Sequence, residues 1–450
     1  MQTSMRKVLI VAYYFPPSGG AGVQRTLKFV KYLREFGWEP IVLTALDADY
    51  PVLDETLLDE IPADVKIYRS KIFEPYNIYR KVTGRSTSES TDIGTLSLDK
   101  KQKRKLSEAF SEWARATFFV PDARIGWRRH AVKMGCEILA NEKVDLIYSS
   151  APPYTTHLIG GDLARKSELP WIADFRDSWI GWVSAPQWRP WFSRKIEARM
   201  EANVLRQATK IITVSNGVRD DLVERNSNIP FEKWQLIMNG YDRMDFDGLA
   251  PKGKSAALTM TYSGSMYGAR NPEFLVQALE KIYAEQPELL LDFRIRLIGR
   301  VGDPIEKRIH ASSVSHTFER LPYLRHKESL EYLLASDVLL LVIDDTPANH
   351  GILTGKLFEY IGSGKPVFAL APEGDAARLI RKGDFGWIAP PANTADIEQA
   401  LRKMFADFSS GTMQYNQQAA LRKQFERRSQ TAELARLFDK TLVEQKIARN

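Results

Sequence analysis

The stretch Tyr13-Tyr-Phe-Pro-Pro-Ser-Gly-Gly-Ala-Gly-Val-Gln-Arg-Thr-Leu-Lys-Phe29 decides the fold. It follows the short apolar run Lys7-Val-Leu-Ile-Val-Ala-Tyr-Tyr-Phe15, rich in β-formers, as expected of a parallel strand covered on both faces. Two prolines and two glycines break that run. Val23, Leu27, Val30 and Leu33 then recur at helical spacing, and Gly37 is placed to stop the helix. A strand, a glycine loop and a helix N-terminus in that order present backbone N–H groups at the positive end of a helix dipole, a setting that favours phosphate or carboxylate. A tight βα turn without ligand has the same local pattern, and the spacing is not the dinucleotide GxGxxG fingerprint.

Working outward, strand-like runs alternate with helical patterns almost from end to end, which implies an α/β protein with parallel sheets. In the first half the strand candidates are 7–15, 39–44, 144–149, 170–175, 210–215 and 234–238. Residues 69–130 interrupt the rhythm as an insertion, partly helical. After an aperiodic linker a second series begins, with strands expected at 258–264, 293–299, 317–321, 338–343, 366–370 and 386–389. The expected domains are 1–245, a linker at 246–257, a second domain over 258–412, and C-terminal helices over 413–450. Two Rossmann-like, doubly wound domains place a ligand in a central cleft at the carboxyl ends of their strands.

Bulk properties narrow the classes. A chain of 450 residues, 44% hydrophobic and 26% charged, has material for two or three ordinary cores. The single Cys136 excludes an internal disulfide framework and fits a reducing compartment. No run approaches a membrane span, and Pro16-Pro-Ser-Gly-Gly20 offers no signal-peptidase pattern, so a cytoplasmic protein is expected. The net charge of +7 is concentrated in Lys100-Lys-Gln-Lys-Arg-Lys105, followed by Trp113, Phe118, Phe119, Trp127 and Arg128-Arg129. This 99–130 patch reads either as a solvated helix face or as a seat on anionic lipid headgroups at the inner face of a membrane. No nucleic-acid motif accompanies the charge.

Six segments in register resemble the GT-B glycosyltransferases, most closely the family-4 type that uses nucleotide-sugar donors. They are residues 16–44, Lys210–Leu222 (KIITVSNGVRDDL), Leu236–Asp242 (LIMNGYD), Thr261–Leu279 (TYSGSMYGARNPEFLVQAL), Leu297–Arg300 (LIGR) and Thr354–Leu370 (TGKLFEYIGSGKPVFAL). FVPDARIGW, YSSAPPYTTHLIG and WIADFRDSW are similar to a subgroup acting in bacterial surface-polysaccharide assembly. The resemblance implies a transferase that moves a sugar, with retention, from a nucleoside-diphosphate donor to a glycan or lipid-linked acceptor, with no metal and no cofactor. A nucleotide-sugar 2-epimerase and a non-catalytic nucleotide-sugar-binding protein share the layout.

The resemblance also assigns residues. Arg270 and Lys356 are the cations that would neutralise the leaving diphosphate, and Arg300 could reach the phosphates or base. Gly264, Ser265, Tyr323, Thr354, Gly355, Leu357 and Glu359 fall on the donor side, Glu359 matching the second glutamate of a paired motif that accepts the ribose hydroxyls. The first glutamate is replaced by Gly351. Gly19, Gly20 and Gly22 would let the first loop approach the donor. Asp174, Arg176 and Asp177 would orient the acceptor hydroxyl, with Asp177 able to take its proton, or they would form a structural ion-pair network. His157 is expected on the acceptor side or as a packing histidine.

Overall fold

A computed structural model describes residues 5–50, 52–73, 120–180, 190–268, 270–415 and 418–449. The chain folds as two compact units. One contains the described residues as far as Met238 together with those from Arg428 on, and the other spans Asn239–Arg427.

The first unit is built on a seven-stranded sheet of order β3-β2-β1-β4-β5-β6-β7. Its strands are β1 (Arg6–Val11), β2 (Trp38–Leu46), β3 (Lys66–Lys71), β4 (Leu146–Ala151), β5 (Trp171–Phe175), β6 (Lys210–Thr213) and β7 (Trp234–Leu236), every pairing parallel. Helices α1 (Ala21–Tyr32), α2 (Arg128–Glu142), α3 (Thr155–Ser167), α4 (Trp191–Gln207) and α5 (Asn216–Arg225) follow the strands. One face packs Leu9, Val11, Ile41, Leu43, Ile147 and Ala173 against Trp127, Leu158, Leu163 and Leu205. The other packs Val8, Ile10, Val42 and Ile172 against Phe29, Val30, Leu33 and the C-terminal helix residues Leu434 and Phe438.

The second unit carries a six-stranded sheet of order β10-β9-β8-β11-β12-β13. These are β8 (Leu258–Ser263), β9 (Phe293–Ile298), β10 (Phe318–Leu321), β11 (Val338–Val342), β12 (Val367–Leu370) and β13 (Gly386–Ala389), again all parallel. Its helices are α6 (Glu273–Glu285), α7 (Asp303–His310), α8 (His326–Ala335), α9 (Gly355–Ser363), α10 (Asp375–Gly383), α11 (Thr394–Ser409) and the short α12 (Ala419–Lys423). The last helix, α13 (Arg427–Arg449), belongs almost wholly to the first unit, where Phe438 meets the Trp38 ring edge-on at 5.0 Å. No helix among the described residues is long and apolar enough to cross a membrane.

Both sheets reverse their strand order once, between β1 and β4 and between β8 and β11, and ligands of open α/β sheets bind at the carboxyl ends beside such a reversal.

The structure corrects several sequence expectations. β1 ends at Val11, and Tyr13 and Phe15 continue buried but outside the strand, Ala12 N–H donating to the Leu43 carbonyl at 3.1 Å. β3 lies where the insertion was expected to begin at 69. Only Ser70 of its six residues is buried, so an edge strand of Lys, Tyr, Arg and Lys shows no apolar run. The stretch 246–257 is not a free linker. Lys252 N–H reaches the Glu331 carbonyl at 3.1 Å, and Arg296 donates to the Gly253 carbonyl at 2.8 Å, fastening it to the second unit. Of the 99–130 patch, residues 99–119 lie outside the described residues. Trp127 is fully buried, its indole N–H donating to Ser70 Oγ at 2.7 Å, so it does not face a lipid surface, while the part-exposed Arg128 is paired with Asp162 at 2.7 Å.

Candidate active site

In the second unit the strand ends deliver two cations to one hydroxyl. β8 stops at Ser263, and Gly264 turns the chain with φ of +127°, its N–H still paired to the Ile298 carbonyl. A Cβ on Gly264 would lie 2.1 Å from Lys356 Nζ, so only glycine leaves room for that ammonium. Gly299, at the end of β9 with φ of +117°, packs equally close: a Cβ there would lie 2.5 Å from the Gly264 carbonyl oxygen. Lys356 Nζ donates to Tyr262 Oη at 3.1 Å and sits 4.5 Å from the centroid of that ring. Tyr262 is buried, and its hydroxyl donates to the Ser265 carbonyl at 2.8 Å. Burial pushes the Tyr262 pKa up to about 12, opposed by the charge of neighbouring Arg270 and a hydrogen bond to it. Sequence reasoning missed Tyr262; its only signal is a tyrosine two residues before the strand-end glycine.

Lys356 makes no ion pair among the described residues. Burial, and then the like charge of Arg270, lower its pKa to about 8 against a weaker opposing pull from Glu359. Arg270 Nε and Thr354 Oγ1 are buried without hydrogen-bond partners. Two crowded cations, a spare guanidinium donor and a spare hydroxyl form a site whose charge an anion would balance.

Helix α9 opens at Thr354, in extended conformation and without a side-chain cap. Beyond its own turn, nothing lies within 4 Å of the Cβ position at Gly355, so that side of the helix start is open. Leu357 is a correction: its N–H is taken by the Thr354 carbonyl at 3.2 Å and its side chain is fully buried, so it packs instead of binding. Glu359 is half-buried, with His326 Nδ1 4.0 Å from its carboxylate and His326 Nε2 3.7 Å from Asp245. Ser265 and Gly264 line the strand end. Arg300 is exposed beside them, its carbonyl accepting from Met266 N–H at 2.9 Å. Tyr323 is 66% exposed.

In the first unit Gly20, with φ of +83°, is the cap residue of α1, and the helix has no side-chain cap and no acidic residue in its first turn. Gly19 N–H pairs with the Val52 carbonyl at 2.8 Å, and a Cβ on Gly19 would press at 3.1 Å on Val52 and Asp54. Gly22 lies against the Tyr14 ring and its carbonyl accepts from Arg176.

The acceptor-side expectations divide. Asp174 is fully buried and takes both arms of Arg25 at 2.8 and 2.9 Å, Tyr148 Oη at 2.6 Å and Ser150 Oγ at 2.9 Å. Burial would raise its pKa, but the Arg25 charge and these hydrogen bonds prevail and hold it below the usual carboxylate range. Arg25 spends its remaining donors on the Ile237 and Met238 carbonyls. Asp174 is therefore half of a closed structural ion pair, whose partner Arg25 sequence reasoning did not single out. Arg176 is a backbone clamp, donating to the carbonyls of Gly22, Ala151 and Pro152. His157 is fully buried, bonded through Nδ1 to Ser149 Oγ at 2.8 Å and packed 4.4 Å from the Phe175 ring; burial lowers its pKa to about 3, so it is a neutral packing residue. Asp177 differs from all three. Its side chain is exposed, and Tyr154 Oη donates to its backbone carbonyl at 3.2 Å.

Comparisons with known proteins bear on the family and the fold. Residues 19–240 match the model of the glycosyl transferase 4-like domain, and residues 257–407 match that of glycosyl transferases group 1. Among solved structures the chain is similar to a sucrose-phosphate synthase from Thermosynechococcus elongatus, at 14% identity and a TM-score of 0.63, over 99% of this chain and 100% of that one. HepE from Anabaena, crystallised with UDP, aligns at 15% identity and a TM-score of 0.63, covering 97% and 100%. WaaG, a glycosyltransferase involved in lipopolysaccharide biosynthesis, aligns at 14% identity and a TM-score of 0.56, covering 96% and 99%. At these identities the likeness speaks for the fold. No curated protein matches the sequence.

Proposed function

Because the chain belongs to the family-4-like GT-B glycosyltransferases, we propose that it moves a sugar from a nucleoside-diphosphate donor to a glycan or lipid-linked acceptor, with retention and without a metal. The observation that carries this reading is the meeting of Lys356 and Arg270 at the Tyr262 hydroxyl, with unspent donors on Arg270 and Thr354. As the glycosidic bond breaks, negative charge grows on the departing diphosphate. Fixed cations in a poorly solvated setting stabilise that charge with no reorganisation, which lowers the barrier. The open side of the start of α9 adds backbone N–H groups to the same task. Glu359 is the carboxylate available for ribose hydroxyls, with His326 beside it.

On the acceptor side Asp177 is the group left over once Asp174, Arg176 and His157 are assigned to structure. An exposed carboxylate just past the end of β5 is placed to orient or deprotonate a hydroxyl. HepE was crystallised with UDP-glucose as well as UDP, which favours a uridine donor, and WaaG's part in lipopolysaccharide biosynthesis favours a role in surface-polysaccharide assembly.

The test is transfer and hydrolysis measured with purified protein over a panel of nucleotide sugars, with and without lipid-linked acceptors, in the presence of a chelator. Acceptor-dependent release of nucleoside diphosphate that survives chelation is the expected result. Interconversion of the donor sugar without acceptor would replace the reading with an epimerase, and binding without turnover would replace it with a carrier.

A further inference from the structure

Helix α4 buries both of its carboxylates beside Val204 and Leu205 and exposes Trp191, Phe192 and Ile196. On a helical wheel Ser193, Glu197, Glu201 and Val204 fall together and are buried, Glu201 paired with Arg225 at 3.2 Å and accepting from Asn226 at 3.0 Å. The opposite arc carries Trp191 at 75% exposure, Phe192 at 39% and Ile196 at 42%. A water-facing helix has the reverse arrangement, with carboxylates outside and large apolar groups inside. Trp191 and Phe192 touch edge to face at 6.1 Å, so the two rings form one apolar knob.

The charges on the arc have one sign. Lys195, Arg199 and Arg206 lie between the apolar residues and are exposed, while both carboxylates of the helix, Glu197 and Glu201, are turned inward. A tryptophan, a phenylalanine and an isoleucine interleaved with lysine and arginine match the chemistry of a lipid headgroup boundary: rings and aliphatic carbons enter the acyl edge, and cations meet phosphate. A second copy of the chain would bring like charge against like charge on this arc.

We propose that the outer arc of α4, centred on Trp191, Phe192, Lys195, Ile196 and Arg199, docks the protein on an anionic bilayer surface. The proposal stands on this helix alone and does not depend on the transfer reading. One helix lying in the interface gives modest, reversible binding, so attachment should require anionic lipid and weaken with salt.

The experiment is flotation of the full chain with vesicles of phosphatidylcholine alone and of phosphatidylcholine mixed with phosphatidylglycerol. The wild type should float with the mixed vesicles. Trp191→Ala with Phe192→Ala and Ile196→Ala should lower the partition coefficient by about tenfold or more, since binding scales with buried apolar area. Lys195→Glu with Arg199→Glu should lower it comparably on mixed vesicles, at roughly 1 kcal/mol per cation near the surface. Because these side chains are exposed, both variants should keep the wild-type melting temperature and circular dichroism. Flotation of both variants equal to wild type would overturn the proposal and direct attention to residues 99–119. Failure of the wild type to float would also overturn it, as would a dimer in solution that the triple substitution dissolves without any change in flotation.

Discussion

The two units use the same parallel architecture and both bury paired charge, Arg25 with Asp174 in the first and Arg296 with Glu319 in the second, but they differ at the end of β8. In the first, Arg25 is closed against Asp174, Lys28 meets Glu60 at 2.5 Å, and Arg128 meets Asp162. In the second, Lys356 and Arg270 share the neighbourhood of one tyrosine with no carboxylate bonded to either among the described residues. Paired charge holds a fold together and is silent toward ligands. Unpaired charge costs stability and is kept where a ligand completes it. On the proposed reading, Lys356 and Arg270 of the second unit receive the anionic donor.

The largest effect should come from opening the closed pair. Asp174→Asn leaves Arg25 buried without its counter-charge and should cost about 3–5 kcal/mol in chemical denaturation, whereas Arg25→Met with Asp174→Leu should recover most of it. Lost turnover in Asp174→Asn at unchanged stability would erase the contrast and return Asp174 to the acceptor.

Opening nothing, Lys356→Ala and Arg270→Ala should each lower turnover by about 10²–10³-fold, the range for removing one charge-stabilising donor. Their stability should move the other way. Lys356 has a folded-state pKa lowered to about 8 from 10.5, so its charged form opposes folding below pH 8, and the penalty is relieved as pH rises from 8 toward 10.5. Lys356→Met should therefore raise the melting temperature of the ligand-free protein near pH 7 and remove that alkaline gain.

Gly264→Ala sharpens the same point without touching charge. Its Cβ would displace the ammonium and strain a left-handed backbone position, and a misplaced group can cost up to about 10²-fold in rate. The smallest effect is His157 in acid. Its folded pKa of about 3 lies below the unfolded value of 6.5, so the unfolded chain takes up the proton first. Stability contributed by the neutral ring is complete above pH 6.5 and drains away as pH falls toward 3. His157→Gln should flatten that part of the stability profile.

The sheets were readable in the sequence because buried parallel strands are short apolar runs bounded by glycine and proline. Gly264 and Gly299 each follow directly on the end of a strand, β8 and β9, and Gly37 ends the first helical segment with φ of +81°. β3 escaped because an edge strand needs little apolar surface. The pairing of Asp174 with Arg25 escaped because the two are 149 residues apart, and nothing local in an amphipathic helix says that a cation on it will be buried. Lys356 could be singled out from its segment, but its depressed pKa could not, since that depends on burial and on Arg270 arriving from another strand end. The arrangement of helix α4 was hidden for a related reason: Glu197 and Glu201 look like a solvated face until Arg225 and Asn226 are seen beneath them.

The most direct measurement is the affinity of a nucleoside diphosphate between pH 7 and 9, by calorimetry, for the wild type and Lys356→Ala. If an unpaired ammonium of pKa about 8 receives the pyrophosphate, wild-type affinity falls as pH rises through 8 while the variant binds weakly with a flat profile. Parallel profiles for the two proteins would contradict the account.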